Sequence, residues 1–183
     1  MVEMSTRKIG NYQIILMPQS KLGPEKLVGE VLYKDENEKF SIPIYWHDEH
    51  MRQVREKNIA TTYYEDSDET IIYMSKVFLD LLHINDMFIG ALWHEVGHIH
   101  YGHLAMIHSQ EEIRKIRNEG MIGGGVSKFE LEADYFAALY VGKNKIIRLF
   151  EYFRNVRGKS DGKYGLAVEE FNRRINHVKR ARI

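Results

Sequence analysis

The chain has 183 residues, 44% hydrophobic and 11% aromatic, which is enough for one well-buried core and short for two, so a single domain over 1–183 is expected. Its 26 basic residues are balanced by 26 acidic ones, leaving no long-range field to draw in nucleic acid or an anionic membrane, so any ligand must be recognised locally. The absence of cysteine excludes disulfides, thiolate metal sites and cysteine nucleophiles, fits a reducing cytosol, and leaves histidine and carboxylate for any metal chemistry.

Taken in chain order, Tyr12 to Met17 is a short β-like run ended by Pro18. KLVGEVLYKDENEKFSIPIYW reads as two extended stretches around the polar turn Lys34 to Lys39, a small antiparallel hairpin. The charged stretch His47 to Lys57 suits a short exposed helix, and TIIYMS, Thr70 to Ser75, a strand. Lys76 to Leu82 is a short helix broken at HIND, where Asn85 or Asp86 can cap the next one. From Met87 onward Ile89, Leu92, Trp93, Val96 and Ile99 keep helical spacing, which predicts a buried helix from about 86 to 103. GMIGGGVS is a loop without the G-K-[ST] ending of a phosphate loop. SKFELEADYFAALYVG is a helix of about four turns that starts at a capping signal and stops at Gly142. Lys145 to Arg154 forms another helix, and Leu166 to Arg180 a basic C-terminal one whose Arg173, Arg174, Lys179 and Arg180, with Arg182 beyond, read as a solvated face. Met87 to Trp93 falls far short of the roughly 20 apolar residues that span a bilayer, and the N-terminus lacks the apolar stretch of about 7 to 15 residues of a secretory signal. The expectation is a cytoplasmic protein with no membrane span.

The chemistry concentrates in HEVGHIHYGH, residues 94 to 103. Residues four apart share a helix face, so His94 and His98 can offer two imidazoles to one ion. Glu95 lies about 100° further round the axis, beside such an ion, where it can take the proton of a zinc-bound water. Gly97 weakens a helix interior by roughly 1 kcal/mol relative to alanine, so its presence points to close approach of another backbone or a ligand. His100 and His103 fall off the stripe and are assigned to hydrogen bonding or solvent; His47, His50, His83, His108 and His177 carry no motif and are read as surface residues.

A hydrolytic zinc site uses three protein ligands. FELEADYFAALYV offers Glu130, Glu132 and Asp134. Glu130 and Asp134 share a stripe beside the apolar row Phe129, Ala133, Phe136 and Tyr140, whereas Glu132 lies farther round with Tyr135 and Leu139. Glu130 is therefore the expected third ligand, and Asp134 the outer carboxylate that accepts a ligand's free ring N–H. Glu130 also fits the third position of a capping box opened by Ser127; the histidine pair, which needs a third ligand, decides for the metal.

HEVGHIHYGH together with FELEADYFAALYVG resembles the gluzincin metallopeptidases, in particular the HtpX-type and CAAX prenyl protease group with its H-E-x-x-H and E-x-x-A-D signatures, over roughly residues 70 to 142. The interval between His98 and Glu130 is closer to the soluble ImmA/IrrE-like peptidases. The resemblance implies an α+β, zincin-like domain, a small antiparallel sheet with an edge strand packed on a helix bundle. It implies one Zn2+ per chain on His94, His98 and Glu130, Glu95 as general base and Asp134 behind a histidine. It further implies a peptide or protein substrate added as an extended strand along Ile71 to Met74. Many relatives carry a His-Pro shortly before an Arg-Ile pair; here Arg174-Ile175 stands without it, leaving Tyr140, Tyr164 and His177 as candidates to stabilise the oxyanion. The expected activity is that of a zinc-dependent endopeptidase, against an ImmA/IrrE-like regulatory peptidase or a non-catalytic zinc-binding module.

Overall fold

The computed structural model describes residues 10–17, 27–46, 59–64, 69–103, 128–158 and 165–183. The protein is α+β, and the chain divides into two compact units, Met1–Asp86 and Met87–Ile183. The exposed helix expected at 47–57, the glycine-rich loop, Ser127 and Tyr164 lie outside the described residues.

The first unit is a five-stranded sheet, β1 (Tyr12–Leu16), β2 (Leu27–Lys34), β3 (Lys39–Trp46), β4 (Ile59–Tyr64) and β5 (Glu69–Met74), in the order β1-β2-β3-β5-β4. The hairpin from β2 to β3 forms as expected, and its turn is held by Asp35 Oδ1, which accepts the backbone N–H groups of Asn37 (2.8 Å) and Glu38 (2.7 Å). Alternation along β3 buries Ile42 and Ile44 and turns Lys39 and Ser41 outward, the period-two pattern of a sheet with one packed face. Tyr12 and Tyr33, buried on neighbouring strands, bring their rings within 4.7 Å.

Two expectations about this sheet are corrected. It is mixed rather than antiparallel, because β5 runs parallel to β3 with Ile44 opposite Ile72 and Trp46 opposite Met74. The stretch between them is long enough for the crossover that parallel neighbours need, and it contains β4, which was not anticipated although IATTYY is rich in β-branched and aromatic residues. In consequence β5 is an interior strand, not an edge. Its backbone pairs with β3 on one side and along Glu69–Met74 with β4 on the other, so Ile71 to Met74 offers no free ladder to an added substrate strand. The edges of the sheet are β1 and β4. After β5, Ser75 caps helix α1 (Lys76–Ile84), its hydroxyl accepting the Phe78 N–H at 3.1 Å.

The second unit is helical. Asn85 closes α1 instead of opening the next helix, and the chain enters through a 3-10 turn, Asp86–Phe88, into α2 (Ile89–His100). There follow α3 (Lys128–Val141), α4 (Lys143–Gly158) and α5 (Gly165–Arg180). Gly142, at φ +85°, takes the left-handed conformation that lets α3 stop and α4 start at once. The core is made by Ala137 and Ala138 of α3, Ile146 and Phe150 of α4, and Phe171, Ile175 and Val178 of α5, with Trp93 of α2 packed against it. Among the described residues no helix is long and apolar enough to cross a membrane.

Candidate metal centre

The site is built where α2 and α3 touch. A Cβ placed on Gly97 would stand 2.9 Å from Ala133 Cα and 3.1 Å from both the Ala133 carbonyl oxygen and Phe136 Cβ, so glycine is the residue that lets the two backbones meet. Of the two causes its presence suggested, close approach of a backbone is the one observed. This contact sets the His94–His98 stripe of α2 against the Glu130–Asp134 stripe of α3.

His94 Nε2 and His98 Nε2 lie 3.1 Å apart, His94 Nε2 is 3.3 Å from Glu130 Oε2, and His98 Nε2 is 3.4 Å from Glu130 Oε1. Ligands placed 2.0–2.1 Å from a tetrahedral zinc stand roughly 3.3 Å from one another, and each imidazole nitrogen lies at a comparable distance from the other and from one of the two Glu130 oxygens. The three side chains form the group among the described residues that could hold a metal ion.

The hydrogen-bond network assigns the protons. Asp134 Oδ1 accepts His94 Nδ1–H at 2.8 Å, which turns the other ring nitrogen, Nε2, toward His98 and Glu130. Two imidazoles and a carboxylate converging in this way call for a positive charge among them, either a proton or a metal ion.

Asp134 is fully buried, and a buried carboxylate needs partners. Its second partner is Arg174 of α5, which donates Nε–H to Oδ2 at 2.8 Å and Nη2–H to Oδ1 at 2.6 Å. The same guanidinium places Nη1 3.2 Å from Glu130 Oε2 and lies over the Phe150 ring at 4.5 Å. The solvated face expected of the C-terminal helix is corrected at this residue: Lys179 and Arg180 are exposed, but Arg174 is buried. A signal for it was present, since Phe171, Arg174, Ile175 and Val178 share one helical stripe and an arginine set in an apolar stripe needs a buried anion.

Burial opposes ionisation of Asp134 and of Glu130, yet the neighbouring charges and hydrogen bonds win: Arg174 and His94 hold Asp134 below the usual carboxylate range, and His94, His98 and Arg174 hold Glu130 well below it. Burial likewise disfavours a charge on His94, but its bonds to Asp134 and Glu130 raise its pKa to about 10. In the metal-free protein a proton thus occupies the place a metal would take. A metal ion bound there must displace that proton, so any metal affinity is expected to tighten by about tenfold per pH unit above neutrality, until His94 titrates near pH 10. Competition against a chelator of known protonation behaviour, measured at several pH values, checks this; a flat profile would contradict it.

Glu95 is buried on α2 immediately after His94. His103 is buried, with Nδ1 2.9 Å from His98 Nδ1 and Nε2 3.0 Å from Glu132 Oε2, so both the histidine assigned to hydrogen bonding or solvent and the carboxylate set aside as farther round belong to the surroundings of the site. Burial and the neighbouring His98 lower the His103 pKa to about 4, so this ring is neutral at physiological pH. His100 is buried against the Phe136 ring at 4.8 Å. Tyr140 stacks on Trp93 at 3.8 Å, and His177 is half-buried on α5, outside the metal-binding group. No family model matches the chain, and no curated protein or solved structure is significantly similar to it.

Proposed function

We propose that this chain is a zinc-dependent metallopeptidase of the gluzincin type, its zincin-like helices holding one Zn2+ on His94, His98 and Glu130. The observation that carries the reading is the convergence of those three side chains, a donor atom of each within 4.8 Å of the others, with Glu95 next in the chain to the first of them. A hydrolytic site uses three protein ligands and keeps the fourth position for water and substrate, and three is the number in this group among the described residues. When bound, zinc would polarise a scissile carbonyl and acidify a water. Glu95 removes the proton from the attacking water and delivers it to the leaving amine, so the carboxylate is regenerated in each turnover. Asp134 keeps the His94 proton on Nδ1 and thereby aims Nε2 inward. Arg174 offsets the charge of Asp134 and Glu130.

The test is metal content measured together with cleavage of an unstructured protein such as casein. One zinc per chain and cleavage abolished by a chelator, then restored by zinc, are expected. Stoichiometric zinc without chelator-sensitive cleavage would favour a non-catalytic zinc-binding module, and a chain that takes up no zinc would remove the basis of the reading.

A further inference from the structure

The two imidazoles of the site are supported differently. His94 has the buried carboxylate of Asp134 behind it; His98 has another histidine. How His103 arrives there follows from the end of α2. Tyr101 is the last residue of helical conformation, and Gly102, at φ +66°, turns left-handed. The Gly102 N–H then bonds the Ile99 carbonyl at 3.1 Å and the His103 N–H bonds the His98 carbonyl at 3.0 Å, the two bonds of a Schellman motif. Such a turn folds the residue after the glycine back onto the side chain five positions earlier, where an apolar contact is usual. Here the two residues that meet are His98 and His103, and their ring nitrogens are 2.9 Å apart.

Glu132 of α3 decides which ring donates. Its Oε2 lies 3.0 Å from His103 Nε2, and a carboxylate accepts, so the His103 proton is on Nε2. His103 Nδ1 is then a bare acceptor, His98 Nδ1 must carry its proton to donate to it, and His98 Nε2 is left unprotonated, facing His94 and Glu130. The ring of His103 is itself clamped: it is 2% exposed, stacked on Phe129 at 4.4 Å, and has the Tyr101 ring 5.5 Å away. A buried histidine with one nitrogen on a carboxylate and the other on a metal-facing imidazole has no freedom to exchange these roles.

We propose that His103 and Glu132 are positioning residues for the second metal ligand: the Glu132–His103–His98 chain holds the His98 proton on Nδ1 and its Nε2 lone pair at the cation. The inference rests on the metal-binding part of the proposed function and not on peptide hydrolysis. It gives the sequence H-I-H-Y-G-H a use beyond its two-histidine motif, with Gly102 supplying the turn and His103 the acceptor.

The experiment measures zinc affinity by chelator competition for the wild-type chain and for the variants His103→Phe and His103→Asn. Phenylalanine keeps the stacking and loses the acceptor; the asparagine amide oxygen can accept from His98 while its N–H2 donates to Glu132. His103→Phe is expected to weaken zinc binding by about 10- to 100-fold, the range found for lost outer partners of metal ligands, and His103→Asn to stay within about threefold of wild type. Wild-type affinity in His103→Phe, or equal losses in both variants, overturns the proposal. Should His103→Phe fail to fold, nitrogen-15 spectra of the zinc-loaded wild type decide: protons on His98 Nδ1 and His103 Nε2 support it, and a proton on His103 Nδ1 overturns it. A wild type that binds zinc without cleaving protein sinks the peptidase reading alone; one that binds no zinc sinks this inference as well.

Discussion

The zinc-loaded Glu95→Gln chain is expected to bind its metal as the wild type does and to cleave protein about 10²- to 10⁴-fold more slowly, the usual worth of a positioned general acid–base group. Glutamine has nearly the volume of glutamate, so the buried place of Glu95 on α2 stays filled and the backbone that presents His94 and His98 is undisturbed. What is lost is the ability to take a proton from water and hand it on. Two measurements are needed on one preparation, zinc by competition and cleavage rate against an unstructured substrate. Unchanged turnover would remove Glu95 from the mechanism, and loss of zinc together with activity would mean that it supports the metal rather than the proton transfer.

Replacing Arg174 by methionine is expected to destabilise the metal-free chain by up to about 3–5 kcal/mol, because breaking one side of a buried ion pair leaves Asp134 with His94 alone to offset its charge. Asp134 has no exposed surface, and Arg174 bonds it through two parallel N–H groups at 2.8 and 2.6 Å. Lysine at 174 would keep the charge but not the fork, so Arg174→Lys should fall between methionine and wild type. Removing both partners, Arg174→Met with Asp134→Leu, should cost less than the sum of the single changes, since neither member of the pair is then left buried without the other. Denaturant unfolding of the metal-free variants reads all of these. Equal midpoints for wild type and Arg174→Met would show that the pair contributes nothing to folding.

The site residues that one helical period could order were legible. His94 and His98, four apart, and Glu130 and Asp134, four apart, each needed only the rule that such residues share a face, and the structure brings the two stripes together. His103 was not legible in that way, because extending the helix to residue 103 assigns it an angle on a cylinder that ends before it; the left-handed Gly102 sends the chain back instead. Glu132 was dismissed by the same arithmetic, which knows where a side chain leaves a helix but not what a turn elsewhere will bring to it. Arg174 was grouped with the exposed arginines and lysines around it, although Phe171, Ile175 and Val178 already marked its face as apolar.

In the sheet, β2, β3 and β5 could be read from alternation and residue type, whereas the neighbours of β5 could not. The backbone of a strand offers the same donors and acceptors on both sides whatever its side chains, so whether it lies at an edge or between partners is decided by where the rest of the chain comes to rest. That is why Ile71 to Met74 looked available and is not.

By itself the amino-acid order determined which donors could face one way on each helix and that no thiolate could join them, because both follow from local periodicity and composition. Only the tertiary structure decided that the two helices approach to the limit Gly97 permits, that Asp134 is neutralised by an arginine 40 positions away, and that a second histidine stands behind His98. Those contacts join segments far apart in the chain, and their energies come from burial and charge pairing that exist only once the segments have met.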